Sequence, residues 1–423
     1  MKTNNLLMVT TGYPYGQGES FVAAELAYMG QTFDTVTLVP CFFTPDKPPR
    51  DVAYAVDLAY ARARWGGGRV FHVIKSFVEG LWRYQWLGEA GYILRHAHRL
   101  ENLKELARTL YRARLFERFL EQQQAAGKHY DLVYFYWIVP EIAGALSFRQ
   151  RSQVGEIHRS TIVARAHGGD LYEERRPGGY AGLTDVITTG LDAVFCISEH
   201  GKGYLIRKYP SLVQRFHLAR LGVDDPGFVS PQPEDDALSI LSCSFMVPGK
   251  RLHLIIDAIA VLLTQNPDLS IRWTHIGDGE LFQQLQAQVA RVLDGRRVEV
   301  IFKGYMQQSD VVAFYRESAF DVIINVSDCE GIPVSLMEAS SAGIPMIATD
   351  VGGSGEIVNA DNGVLIHEDA DASTIAAALL KFYDRRLAAA YRVRALAYWQ
   401  THFNAQTNYG QFGQALHRSM EHL

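Results

Sequence analysis

Two glutamates, Glu330 and Glu338, flank a proline in the stretch Ser327-Asp-Cys-Glu-Gly-Ile-Pro-Val-Ser-Leu-Met-Glu-Ala. The pattern expects a strand–loop ending at Glu330 and a helix that takes Pro333 in its first turn. Glu338 then falls about one and a half turns into that helix. Between the two acids, the helix N-terminus offers free N–H groups and a partial positive charge, a setting suited to a diphosphate. A carboxylate has two acceptor oxygens and so matches a pair of vicinal hydroxyls. Glu330 is therefore expected to hold a transferred sugar and Glu338 a ribose. Gly331, Ile332, Pro333 and Val334 would line the diphosphate between them.

The elements that must carry these residues are legible as alternating runs. Leu6–Thr10 is a short apolar run ending in a Gly-rich loop, followed by a helical pattern from Ser20 and the strand-like Thr35–Pro40. Asp131–Trp137, Thr161–Ala166 and Ala193–Ile197 read as further buried strands. Such alternation expects a parallel sheet covered on both faces. Asp224–Ala237, with three prolines, five acids and no periodicity, reads as a linker. A second alternation follows: strands at Leu238–Ser244, Ile271–Ile276, Val298–Phe302, Val322–Val326 and Pro345–Ala348. Helices are expected between them at Leu252–Leu263, Glu280–Val292, Ser309–Glu317 and Pro333–Ala342.

At 423 residues, with 48% hydrophobic and 21% charged, the chain is long enough for two domains with cores. Net charge is −5, which gives no reason to expect nucleic acid. Cys41, Cys196, Cys243 and Cys329 lie far apart without metal-ligand spacing and read as reduced thiols of a cytosolic protein. No apolar run suits a signal peptide or a membrane span. One segment departs from the average. Between Arg62 and Arg118 stand twelve Lys/Arg against five Glu, a net +7 that leaves −12 for the remainder. Aromatic residues are interleaved from Trp65 to Phe116. Such a stretch suits an anionic membrane surface, or else forms ordinary helices with arginines facing water.

The Glu-x7-Glu pair, the GxPxxxxEA that contains it and the following Pro-Met-Ile-Ala-Thr-Asp-Val-Gly-Gly-Ser-Gly-Glu-Ile-Val resemble the C-terminal signature of the GT4 family of retaining glycosyltransferases. Pro-Gly-Lys250, Ile-Gly-Asp-Gly-Glu280 and Phe-Lys-Gly304 follow in the family order. In the first half, Gly16-Gln-Gly18-Glu-Ser-Phe-Val, Arg165-Ala-His167-Gly-Gly-Asp170 and Leu221-Gly-Val-Asp224 also match. The resemblance implies an α/β GT-B fold: two Rossmann-like doubly wound domains facing a central cleft, with a C-terminal helix crossing back. The implied division is 1–223 on the acceptor side with a basic helical insert near 62–125, linker 224–237, nucleotide-sugar domain 238–395 and returning helix 396–423.

By the same resemblance Lys250 neutralises the donor diphosphate, Glu330 faces the donor sugar, and His167 lies near the reacting sugar. Gly16 and Gly18 let donor and acceptor approach the first-strand loop, while Gly304, Tyr305 and Met306 lie beside the base. Many relatives carry Gly-Arg where this chain has Ser244-Phe245. Ser244 and backbone amides then share the diphosphate, and whether Arg251 supplies the second cation is open. His167 has a structural alternative as part of a strand-end turn. Asp278, Ser198 and Gly352-Gly353 read as turn or cap residues. Asp369-Ala-Asp371 reads as a loop, so no metal site and no cofactor are expected.

The implied reaction moves a sugar from a nucleotide-diphosphate sugar to a lipid-linked or growing glycan at the cytoplasmic face, without metal. A soluble enzyme with a small acceptor and a nucleotide-sugar epimerase are the alternatives. Dehydrogenase chemistry is disfavoured, because no GxGxxG follows the first strand.

Overall fold

Short aliphatic segments buried on both faces form two all-parallel sheets, the pattern expected when helices cover each side. The structure is a computed structural model that describes residues 4–16, 19, 21–44, 48–65, 98–152 and 160–421, with 74–75, 78–80, 89, 91 and 93. Gly18 lies outside the described residues, as do Arg69, Phe71, Phe77, Trp82, Arg83, Tyr84, Trp86, Tyr92 and Arg95 of the basic segment. The chain divides into two units, 1–197 with 201–219 and 410–423, and 198–200 with 220–409. The expected boundaries stood at 223/224 and 395/396.

In the first unit the strands are β1 (Asn5–Thr10), β2 (Thr35–Pro40), β3 (Ala55–Val56), β4 (Leu132–Phe135), β5 (Thr161–Ala166), β6 (Ala193–Cys196) and β7 (Phe216–Leu218). Their order is β3-β2-β1-β4-β5-β6-β7, with Leu7 beside Val133 across β1 and β4. The order reverses between β1 and β4, and ligands of such sheets bind at the carboxyl ends of strands near this point. Helix α1 (Val22–Met29) follows the first-strand loop. The C-terminal helical residues Phe412 and Leu416 join the core on the α1 side of the sheet.

Helix α2 (Arg99–Ala125) carries the described part of the basic segment. Tyr111 and Phe116 are buried in the core under it, so they are not available to a membrane. Arg112 donates to both oxygens of the fully buried Glu141, at 2.9 and 2.7 Å. Burial works to raise the Glu141 carboxyl, but Arg112 and Arg64 outweigh it and hold the group below its usual value. Arg114 reaches Glu79, Glu117 and Glu121, and Arg118 reaches Glu79. The expectation of a membrane-facing surface is corrected for these three arginines: they are committed to internal ion pairs. Arg99, Lys104 and Arg108 are exposed. Among the described residues no helix is long and apolar enough to cross a membrane.

In the second unit, β8 (Ala237–Cys243), β9 (Ser270–Ile276), β10 (Val298–Phe302), β11 (Val322–Asn325), β12 (Met346–Thr349) and β13 (Gly363–Ile366) take the order β10-β9-β8-β11-β12-β13. The reversal here lies between β8 and β11. Helices α3 (Leu252–Gln265), α4 (Gln308–Glu317) and α5 (Val334–Ser341) follow β8, β10 and β11. Most expected elements are present with ends shifted by one or two residues. Pro333 is extended, at φ −77° and ψ 102°, so it caps α5 rather than occupying its first turn. The returning helix expected over 396–423 is two helices, Arg385–His402 and Ala405–Glu421. The break is fixed by Val223, whose N–H donates to Phe403 and whose carbonyl accepts from Ala405.

Candidate functional site

Apart from Glu338, which lies within α5, the expected site residues of the second unit lie on loops or helix starts at the carboxyl end of its sheet. The turn after β8 holds Lys250, and the loop after β11 holds Glu330, so the two acids and the lysine straddle the reversal of strand order. Lys250 Nζ lies 2.6 Å from Glu330 Oε1. The same oxygen accepts from Asn325 Nδ2 at 3.0 Å and Ser327 Oγ at 2.7 Å. Among the described residues all three donors converge on Oε1, which fixes the carboxylate and leaves Oε2 to accept from a ligand. Sequence reasoning missed Asn325 and Ser327. Their spacing, five and three residues before Glu330 at a strand end, was the available signal.

Gly352 and Gly353 press on the backbone of that loop. A Cβ on Gly352 would lie 1.7 Å from the Glu330 carbonyl oxygen, and one on Gly353 2.4 Å from that of Gly331. Gly352 also has φ +55°, where side chains are strained. These glycines therefore hold the Glu330–Gly331 turn in place by close packing. The N-terminus of α5 has no side-chain cap, so the N–H groups of its first turn stay available to an anion. Gly331 and Val334 are half-buried beside it, and Ile332 and Pro333 are buried.

Glu338 is on α5 and nearly buried. Gln308, at the start of α4, donates to its Oε1 at 2.9 Å. Burial pushes the Glu338 carboxyl up to about 7, against the opposing pull of that amide. Behind it, burial and then the Glu338 charge raise the Cys243 thiol to about 12. Gln308 carried no recognisable signal in the sequence. Ser244 N–H donates to Ile276 and Gly277 N–H to Gly304, which brings the loops after β8, β9 and β10 together. Gly304 has φ +71°, Tyr305 is exposed and Met306 is half-buried. Phe245, in the place of the arginine of many relatives, is 52% exposed.

Arg251 is engaged with the backbone. Its guanidinium donates to the carbonyls of Val326, Ser327 and Glu368, at 2.7, 3.0 and 2.8 Å. Its backbone is left-handed, at φ 47° and ψ 35°. Asp278 and Asp371 are a turn and a helix cap, accepting from Gly279 and from Thr374.

His167 belongs to the first unit, at the end of β5. Its ring is buried against Phe21, Tyr136 and Trp137, with centroids 6.2, 4.7 and 4.2 Å away. Burial, with Arg165 adding to it, holds the imidazole well below its usual value, so it is neutral at physiological pH. Neither ring nitrogen has a hydrogen-bond partner among the described residues. Leaving a buried polar atom unpaired costs on the order of 1–3 kcal/mol, which makes the ring a candidate for contact with a ligand group. Asp170 fixes the turn, accepting from the N–H groups of His167, Gly168 and Ile138. Gly16 has φ +77° and its carbonyl accepts from Arg50. Arg165 points into the core and pairs with the buried Glu25.

Comparison with known proteins bears on the family and the fold. Residues 237–385 match the family described as Glycosyl transferases group 1. The putative colanic acid biosynthesis glycosyltransferase WcaL of Escherichia coli K12 is 28% identical over 232 residues, 53% of this chain and 55% of that protein. The amylovoran biosynthesis glycosyltransferase AmsK of Erwinia amylovora is 27% identical over 215 residues, 48% of this chain and 51% of that one. The chain thus spans about half the length of the curated relatives it matches. Among solved structures, the apo lipopolysaccharide outer core galactosyltransferase WaaB superposes with TM-score 0.67 at 15% identity, over 98% of this chain and 99% of that one. Anabaena Alr3699/HepE in complex with UDP-glucose gives 0.65 at 17%, over 99% and 100%. The chain therefore has the GT-B fold of two Rossmann-like parallel-sheet domains, and its residues 237–385 match the model of the Glycosyl transferases group 1 family.

Proposed function

We propose that this protein transfers a sugar from a nucleotide-diphosphate sugar to a hydroxyl of a lipid-linked or growing glycan in bacterial surface polysaccharide synthesis. The observation that carries the reading is the uncapped N-terminus of α5, flanked by Lys250 with Glu330 on one side and by Glu338 on the other. The names of the relatives, for colanic acid and amylovoran, support the glycan class.

In this mechanism the α5 N–H groups take the diphosphate, Glu338 the ribose diol and Glu330 Oε2 the sugar hydroxyls. Lys250 turns from Glu330 toward the leaving diphosphate, whose charge grows in the transition state. Fixed donors aimed at developing charge provide the stabilisation that a metal supplies elsewhere. Retention is assigned to attack on the face from which the diphosphate departs. The anomeric carbon–phosphate oxygen bond breaks, the acceptor oxygen bonds that carbon, and the acceptor proton passes to the departing oxygen. Glu330 stays anchored by Asn325 and Ser327 and is assigned to the sugar hydroxyls, and Glu338 is assigned to ribose, so neither serves as the nucleophile of a double displacement. His167, neutral and unpartnered, hydrogen-bonds the reacting sugar.

Binding of UDP-, GDP- or ADP-sugars raises the melting temperature by mass action, and a panel of these identifies the base. Nucleoside diphosphate release that requires a glycan acceptor, with the product anomer read by NMR, tests transfer and retention together. Release at the same rate without any acceptor, or epimerised donor as the product, overturns the proposal.

A small-molecule acceptor is the second reading, favoured because Arg112, Arg114 and Arg118 are committed to ion pairs. Flotation with anionic liposomes decides between them. A membrane-face enzyme floats, and floats less when Lys104 and Arg108 become alanine. A protein that stays in the dense fraction favours the small acceptor.

A further inference from the structure

The loop after β1 contains a polar arrangement that the reading above does not use. Glu19 turns back on this loop and its carboxylate accepts from three successive N–H groups, Thr11 at 3.0 Å, Gly12 at 2.7 Å and Tyr13 at 2.8 Å. A fourth donor comes from outside the loop, the indole N–H of Trp137 just beyond β4. Glu19 adopts φ +57°, a left-handed conformation that costs a residue with a side chain on the order of 1 kcal/mol. Three consecutive N–H groups form a concave anion site, and the chain fills it with its own acid.

The other face of Trp137 is what gives this contact its consequence. Its ring centroid lies 4.2 Å from that of His167, and Phe21, two residues beyond Glu19, lies on the same imidazole. One carboxylate therefore ties together the β1 loop, the β4 end and the walls around His167. We infer that Glu19 is a positioning residue, which holds Trp137 and the Thr11–Tyr13 loop so that His167 stays in a closed aromatic box with its two nitrogens reserved for the reacting sugar. This inference rests on the glycosyl-transfer reading for its effect on rate, but not for its effect on the imidazole.

Among the described residues, the groups facing His167 are Tyr136 and Trp137 just after β4, Phe21 before α1, and Arg165 and Asp170 from its own strand and turn. Glu19 reaches it only through Trp137. Without Glu19 the indole loses its anchor, water reaches the ring and its titration moves up toward the ordinary histidine range near 6.5.

Three variants test this. Glu19→Ala empties the nest, and Glu19→Gln keeps the size but loses one acceptor oxygen and still folds if alanine does not. In the third, Trp137→Phe removes only the indole N–H and keeps a ring on His167. The His167 resonances of uniformly labelled protein, followed by NMR against pH, are expected to show no titration above pH 6 in wild type. They are expected to show a midpoint raised by about one unit or more in Glu19→Ala, with Glu19→Gln between the two. In turnover, Glu19→Ala is expected to lose on the order of 10²-fold in kcat with donor KM within a factor of about three, because the contacts proposed for the diphosphate and ribose lie in the second unit. Formate or acetate, added to Glu19→Ala, is expected to refill the nest and restore part of that rate. A His167 resonance unmoved in both Glu19 variants overturns the inference. So does a kcat that falls only in step with a lowered melting temperature and gains nothing from formate. If wild type turns over no nucleotide sugar, the functional reading fails, and the His167 titration still decides the role of Glu19.

Discussion

The two units place opposite kinds of environment at the carboxyl ends of their sheets. In the second, charge is concentrated: Lys250 and Glu330 are paired, Glu338 is buried with a single amide donor, and the first-turn N–H groups of α5 are uncapped. In the first, the expected site residue is a neutral imidazole walled by Phe21, Tyr136 and Trp137, while the nearby acids Glu19 and Asp170 accept from backbone N–H groups. A diphosphate needs fixed positive charge. An anomeric carbon exposed to water would be hydrolysed, so a dry, neutral pocket suits the reacting end. Under the proposed transfer, the second unit offers the charge that a diphosphate needs, and the first offers a dry, neutral pocket.

Removing the charge should produce the largest effect. Lys250→Ala is expected to lower kcat/KM by about 10³-fold, or about 4 kcal/mol, with an unchanged melting temperature, because Asn325 and Ser327 still hold Glu330. Steady-state kinetics with the cognate donor checks this. A loss under tenfold would remove Lys250 from the site. Next in size, His167→Ala is expected to cost on the order of 10² in kcat with donor KM little changed. The contrast is sharpest in the pH–rate profile. With its imidazole held neutral, wild type should show no histidine limb between pH 6 and 8, whereas a limb that vanishes in His167→Ala would make this half charged too.

Glu338 tests the buried acid. Its carboxyl is protonated below about 7 in the free protein. Ribose hydroxyls donate to the ionised form and lower its pKa in the complex. Donor affinity is therefore expected to be flat above pH 7 and to weaken about tenfold per unit below it, until the complex itself protonates. Glu338→Gln should bind about tenfold or more weakly at pH 8 and lose this slope. Titration calorimetry at pH 6, 7 and 8 measures both. The smallest effect expected is that of Arg251→Lys, which keeps the charge but loses the fork on Val326 and Ser327. It should lower stability by about 1–2 kcal/mol in denaturant unfolding and leave diphosphate affinity within about threefold. A selective loss of diphosphate binding would return Arg251 to the site.

The charged half was far more legible in the sequence than the neutral one. Glu330 and Glu338 stand out because charge beside a strand end and a helix start has few uses, Lys250 follows from the family resemblance, and the elements that carry all three follow from the alternating pattern. Val298–Phe302 was placed to the residue for the same reason. Pro333 was one step out, since proline fits both a cap and a first turn and only the backbone angle separates them. Asn325, Ser327 and Gln308 gave too little: neutral donors are common at strand ends, and their partners become visible only in three dimensions. The His167 box is built from residues 21, 136, 137 and 167, far apart in sequence and aromatic like much of any core. The basic segment misled for a related reason. Counting charge shows its sign but not its partners, and Glu141, buried under α2, already holds Arg112.

Calorimetric titration of UDP-, GDP- and ADP-sugars into wild type and Glu338→Ala tests the central claim most directly, that the second unit holds a nucleotide-diphosphate sugar between Lys250 with Glu330 and Glu338. The account predicts saturable binding of sugars bearing one base, with an affinity about tenfold or more weaker in the variant at pH 8. No binding of any of the three, or equal affinity in both proteins, would contradict it.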